Sequence, residues 1–208
     1  MQLLSLSNGA LFGIIGGAVA LLIVIYVIWY IATHNSLISL GNDVDEAFSA
    51  MDVHMKKRYD LIPNLVATCK GYAKHESETF TRVTEARNAA LAARGGGTVS
   101  VADRISAERE LSNSLRTLLN FVQEQYPQLK ADSQFNSLSR QLEQIEEEIA
   151  RSRKYYNAKI KLLNNKIQKF PSSIVANKMG LKRRAFFDIE DAAERDAPRV
   201  SFDRISLD

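Results

Sequence analysis

The sequence predicts an all-α protein: an N-terminal transmembrane helix, an elongated antiparallel three-helix bundle and a short helical C-terminal tail. Three observations predict it. The first 32 residues hold no Lys, Arg, Asp or Glu, and all 27 Lys and Arg and all 24 Asp and Glu follow them. Beyond that point apolar residues recur three and four apart over long runs, the period of a helix with one buried face. Gly and Pro, at 10 and 4 of 208 residues, are too scarce to cut those runs into short elements.

Ala10 to Ile31 reads ALFGIIGGAVALLIVIYVIWYI, with no polar or ionisable side chain except Tyr26 and Tyr30. A helix of about 20 residues covers roughly 30 Å, the apolar thickness of a bilayer. Residues 10–32 are therefore expected to span the membrane, and residues 1–9 to form a short extracytoplasmic N-terminus. A signal peptide would have a basic start and an apolar core of about 7–15 residues. Here MQLLSLSNG has no Lys or Arg and the apolar run is longer. A buried helix this apolar would need a large core around it, which the polar remainder does not supply. Tyr26, Trp29 and Tyr30 cluster at the C-terminal end, where amphipathic rings suit the headgroup level. Gly9, Gly13 and Gly17 form small-xxx-small faces that let two such helices pack closely.

The first basic side chains after the span are Lys56, Lys57 and Arg58. They lie beyond the nearest 15–20 or so residues, where charge bias acts most strongly, but still favour a cytoplasmic C-terminal side. The lone cysteine, Cys69, excludes an intramolecular disulfide and fits a reducing compartment.

Residues 33–170 are expected to form the long-helix bundle, in segments 33–93, 101–126 and 133–170, with 171–208 as a tail packed on it. Gly95-Gly96-Gly97 and Tyr126-Pro127 separate the segments. The first stripe runs through Val44, Phe48, Met51, Met55, Ile62, Val66, Cys69, Ala73, Phe80 and Val83. Pro63 interrupts it, and a bent helix or two coaxial helices are expected, not a hairpin, with the Pro serving a bend or freeing backbone groups for a partner. The first segment is too long for the others to match, so part of it should meet the tail or a second subunit, or stand exposed as a stalk. Anchor and stalk can be one continuous helix.

Ser100 is the expected N-cap of the second segment, with Asp103 three residues on. Its stripe is Val101, Ile105, Leu111, Leu115, Leu118, Leu119 and Val122. The third stripe, Phe135, Leu138, Leu142, Ile145, Ile149, Tyr156, Ile160, Leu163, Ile167 and Phe170, is close to a heptad, and Pro171 ends it. In the tail, short helices are expected around Ser173–Met179, with Gly180 as the stop, and around Asp188–Arg195. Phe186 and Phe187 should pin the tail, and Pro198–Phe202 should dock as an extended strip.

The search for chemistry names no catalytic, cofactor-binding or metal-binding residue, and no cofactor. Gly95-Gly96-Gly97 has no Lys-Ser/Thr after it and does not follow a strand, so it is no phosphate loop. His34, His54 and His75 are scattered without a ligand spacing; His75, Glu76 and Glu78 read as a solvated face. No Glu-x-x-His occurs, as a di-metal carboxylate bundle would need. Cys69 on the apolar stripe reads as a small buried hydrophobe. A formal net charge of +3 with acid and base segregated along the third helix fits the helix dipole and argues against nucleic acid. A basic surface facing lipid is the better alternative.

These motifs in combination resemble the LemA family of bacterial membrane proteins. The stretches that carry the resemblance are Asn35–Ile38 after the span, Asp52–Val66 with its Asp60-Leu61-Ile62-Pro63-Asn64-Leu65, Lys70–Glu76, Ala86-Arg87, Tyr126-Pro127 with Leu129–Ala131, Phe170–Ser172 and Phe186-Phe187. Gly41, Phe48 and Cys69 depart mildly from the family's habit. The resemblance covers nearly the whole chain. It implies an all-helical domain on one N-terminal anchor in the bacterial inner (cell) membrane, with the N-terminus outside and the C-terminal domain cytoplasmic, in a family with no established enzymatic activity. The family includes a magnetosome-associated branch, so a part in forming membrane organelles is open. The expected function is a non-enzymatic, membrane-anchored scaffold or interaction protein. Its expected partners are the lipid bilayer, further copies of itself and unidentified proteins. The alternatives are an accessory of a membrane protease or signalling protein, and a metal-binding bundle or enzyme.

Overall fold

The computed structural model describes residues 8–72, 77–94 and 100–187. Among them are six helices: α1 (Asn8–Tyr72), α2 (Ser77–Arg94), α3 (Val101–Gln125), α4 (Pro127–Lys130), α5 (Ser133–Gln168) and α6 (Ser172–Lys178). No strand occurs among the described residues, so the all-α expectation holds. The expected N-terminal segment 1–7, the glycine turn, the helix at 188–195, the strip at 198–202 and His75 with Glu76 lie outside the described residues.

The apolar segment continues into the charged part of the chain as one uninterrupted helix, α1. Side chains from Phe12 to Ile28 face outward, and burial starts on the same helix at Thr33 and Leu37. The chain divides into two compact units, residues 1–51 with 151–185, and 52–150 with 186–208. Helices α1 and α5 contribute to both.

In the first unit α1 and α5 run antiparallel. Lys159 Nζ donates to Asp43 at 2.9 Å, and the rings of Phe48 and Tyr156 lie 5.5 Å apart. The core comprises Leu37, Val44, Ala47 and Met51 of α1, Ile160 and Leu163 of α5, and Val175 and Ala176 of α6. Helix α6 ends in a Schellman motif: Leu181 N–H donates to Ala176 O and Gly180 N–H to Asn177 O, both at 3.0 Å. Gly180 takes φ 68°, the left-handed conformation such a stop requires. Buried Asn164 then holds the outgoing chain, its amide donating to Arg184 O and accepting from Arg184 N, both at 2.9 Å.

In the second unit the first expected segment is two helices, not one. Asp52 pairs with Arg94 and Tyr59 with Arg87, so α2 returns antiparallel along α1. This corrects the single segment to residue 93; at Pro63 itself the helix runs on without a hairpin, as expected. The apolar stripe keeps its phase from Val66 and Cys69 to Phe80 and Val83, which hid the break from periodicity alone. Gly71 and Lys70, in the last turn of α1, were the local signals for it. The bundle drawn with three segments therefore has four helices here, α1, α2, α3 and α5.

Caps set the other boundaries. Ser100 Oγ accepts from Asp103 N at 3.1 Å and donates to Asp103 Oδ2 at 2.7 Å, the capping expected from sequence. Asp132 accepts from Phe135 N at 2.8 Å to start α5, and its second oxygen accepts from Tyr72 at 2.9 Å. Those two bonds, the backbone one first, hold its carboxyl below the ordinary range. Three assignments need correcting: Val101, expected on the second stripe, is 42 % exposed at the first residue of α3. Phe170, expected in the core, is 81 % exposed, because α5 ends at Gln168 and helical phase no longer aims the side chain. Of the two phenylalanines expected to pin the tail, Phe187 is buried and Phe186 is exposed.

Candidate functional site

The chemistry of the second unit gathers where α1 meets α3 and α5. Arg58 and Glu108 are both buried, at 1 % and 0 % exposure. Arg58 Nη2 donates to Glu108 Oε2 and the Tyr59 hydroxyl to Glu108 Oε1. Arg58 Nη1 reaches Ser112 Oγ at 3.0 Å and Glu146 Oε1 at 2.5 Å. A buried guanidinium is tolerable only when such acceptors surround it. Burial works against the Arg58 charge, but Glu146 and Glu108 outweigh it and keep its pKa above the ordinary value. The Tyr59 phenol is pushed up by burial and then by Glu108, so it stays neutral and donates. Arg58 Nε is buried without an acceptor among the described residues.

One turn on, Pro63 explains itself. It has no N–H, so the carbonyl four residues back, Tyr59 O, loses its helical donor. Arg87 Nε of α2 donates to that oxygen at 2.7 Å. The freed carbonyl thus meets a donor of this same chain, a structural role for the proline. Arg87→Met should cost about 1–3 kcal/mol, the usual range for a stranded polar group. In a Pro63→Ala background the same change should cost much less, since an alanine N–H can bond Tyr59 O. Urea midpoints of the four chains check this; equal costs in both backgrounds would refute it.

Asp52 is clamped by two arginines: Arg94 donates Nη2 at 2.7 Å and Nε at 2.9 Å to Oδ2, and Arg104 bonds Oδ1. Burial alone would raise the Asp52 pKa, but the bonds from Arg94 and Arg104 bring it below its ordinary 3.8. A depressed carboxyl adds stability above its unfolded pKa and loses it as pH falls through the folded one. Asp52→Asn should therefore lower Tm at neutral pH and flatten the acid limb below about pH 4. Parallel Tm-against-pH curves for the two chains would refute the assignment.

A groove of about 830 Å³ lies between α3 and α5 beside this network. Leu115, Leu119 and Leu142 give it an apolar floor, Arg116, Arg140 and Glu143 charged edges, and Ser112 and Glu146 connect it to Arg58. A channel of this make-up fits the apolar face of an amphipathic helix. No nucleophile paired with a base lines it.

Among the described residues, those weighed from sequence do not converge. His54 Nδ1 lies 2.7 Å from Glu148, but out of hydrogen-bond alignment. Glu78 meets Arg82 at 3.3 Å on the surface. Cys69 is free and buried, and burial pushes its thiol up to about 11, as fits a packing residue. No metal-ligating group of three forms among the described residues. Sequence reasoning missed Arg58, Tyr59 and Glu108 as a unit. The signal was there: Arg58 sits between Met55 and Ile62, and Glu108 between Ile105 and Leu111, each a charge on an apolar stripe.

The chain is similar in sequence to known proteins. Protein LemA of Metamycoplasma hominis is 27% identical over 162 residues, 78% of this chain and 72% of that protein. Magnetosome protein MamQ 2 of Paramagnetospirillum magneticum is 25% identical, covering 85% and 74%. Magnetosome protein MamQ of Magnetospirillum gryphiswaldense is 23% identical, covering 83% and 71%. None of these names is that of an enzyme. With one apolar N-terminal helix long enough to cross a bilayer, the chain is a membrane protein. The profile of the LemA family matches residues 47–202, three quarters of the chain, and the protein belongs to that family.

Proposed function

We propose that this protein is a non-enzymatic, membrane-anchored helical scaffold that binds its own kind and other proteins and so organises membrane or membrane-protein complexes. The observation that carries the reading is the continuity of α1. One helix holds both the outward-facing apolar run from Phe12 and the core positions Leu37, Val44, Met51 and Met55. A folded body attached that way is held at the bilayer by its own first helix, and the antiparallel helices of each unit present their outer faces there. Names of relatives that include magnetosome proteins support a role in membrane organisation.

Self-association is part of the proposal. A Cβ added at Gly13, Gly16 or Gly17 meets nothing within 4 Å, so the small-residue face is open to a second copy. Mass measurement of the detergent-extracted protein tests this, and a clean monomer counts against it. The protein sits, on this reading, in a bacterial inner membrane with its N-terminus outside and its C-terminal domain in the cytoplasm. A reporter active only in the cytoplasm, fused after Asp208, tests the orientation. Crosslinking in native membranes, compared with a chain lacking residues 1–32, tests the scaffold. The same partners captured by both chains would argue that placement is irrelevant.

The α3–α5 groove favours a second reading, an accessory or regulator of a membrane protease or signalling protein that docks a helix there. Loss of one partner on Leu119→Glu, with others retained, would select it.

A further inference from the structure

We propose that the corner between α5 and α6 is a second membrane contact, with Phe170 entering the headgroup layer and the basic side chains around it pairing with anionic lipid. Phe170 is 81 % exposed and Ile174, one turn into α6, is 52 % exposed. Lys169, Lys178, Lys182 and Arg183 are exposed on the same stretch of chain, which carries no acid between Glu148 and Asp188. Exposed aromatic and aliphatic side chains on a stretch rich in cations are the composition of an interfacial lipid contact.

Position picks the occupant. The pairs Asp43–Lys159 and Phe48–Tyr156 fix α1 and α5 as antiparallel. Counting about 1.5 Å per residue from them puts Phe170 level with Thr33, just past the end of the apolar run. Lys178 Nζ lies 5.3 Å from the centre of the Tyr30 ring, and Tyr30 belongs to the aromatic group that ends the span. The patch is thus continuous with the span and faces the layer into which the span emerges. Anionic headgroups there supply the charge the lysines lack.

This rests on α1 being the anchor, and the test separates the two. Trp29 is the sole tryptophan. The full chain goes into nanodiscs of phosphatidylcholine alone, or of two parts phosphatidylcholine to one part phosphatidylglycerol. In the unaltered chain, quenching of Trp29 by brominated lipid reports the anchor. In Trp29→Phe chains, Phe170→Trp and, separately, Ile174→Trp report the patch; both sites are exposed enough to accept the ring. The expected result is emission shifted to shorter wavelength, strong quenching by lipid brominated near the headgroup and protection from iodide. Phosphatidylglycerol should enhance all three, and adding Lys169→Glu with Lys182→Glu should remove the enhancement. Emission typical of water with full iodide quenching at both positions, while Trp29 is quenched by lipid, overturns this proposal alone. Protection that follows protein concentration and ignores bromination assigns the patch to a second copy and also overturns it. An unquenched Trp29 overturns the anchor itself.

Discussion

Arg58→Leu should destabilise the protein by about 3–5 kcal/mol, the cost of breaking a buried ion pair from one side. The change leaves the Glu108 carboxylate, fully buried, with the Tyr59 hydroxyl as its remaining bond from this network. It also removes the donor that joins Ser112 and Glu146. A charge left in an apolar interior without its counter-ion costs far more than the pair contributed. The double variant Arg58→Leu with Glu108→Leu should therefore be more stable than the single one, because it removes the stranded charge along with its partner. Glu146 is 42 % exposed and returns to water in both. Urea denaturation of the detergent-solubilised chain, followed by helical circular dichroism, ranks the three. A cost below about 1 kcal/mol for the single variant, the size of an exposed ion pair, would mean that water reaches the pair. A double variant weaker than the single would mean that packing, not charge, sets the cost.

The helical class, the cap at Ser100, the stop at Gly180 and most stripe residues were legible because each depends on a local rule. Periodicity reports which side chains face a core, and Met51, Met55, Leu111, Leu118, Ile149 and Ile160 are all buried as their spacing predicts. Periodicity does not report where a chain folds back. The buried residues of α1 and of α2 face the same core, so a reversal of direction that preserves phase leaves no trace in the stripe. The Arg58–Glu108 pair was half legible. A charge on an apolar stripe can be seen in one sequence, but its partner lies 50 positions away, and no local rule links them. Arg87 was less visible still, because its acceptor is a backbone oxygen defined by the proline four residues beyond it. Phe170 was misplaced for a related reason. Helical phase was carried two residues past the end of α5, to a side chain that lies outside the core.

Deleting residues 1–32 should move the protein from the membrane pellet to the supernatant in alkaline carbonate, while the full chain stays in the pellet. Phe12, Ile14, Ile15, Leu21, Leu22, Ile23, Ile25 and Ile28 each keep more than half of their surface exposed. At about 1.5–3 kcal/mol for each large apolar side chain removed from water, their transfer into lipid sums to the order of tens of kcal/mol. Basic side chains at the α5–α6 corner would hold a truncated chain only at low salt, since headgroup attraction is screened within a Debye length. A single Ile23→Arg is a sharper control. Its cost of about 2.5–3.5 kcal/mol at a helix centre is small beside the total, so this variant should remain in the pellet. If the truncated chain resisted carbonate, the span would not be what holds the protein. If Ile23→Arg alone released it, the span would be a marginal contact, and a body placed by its own first helix could not be the basis of function.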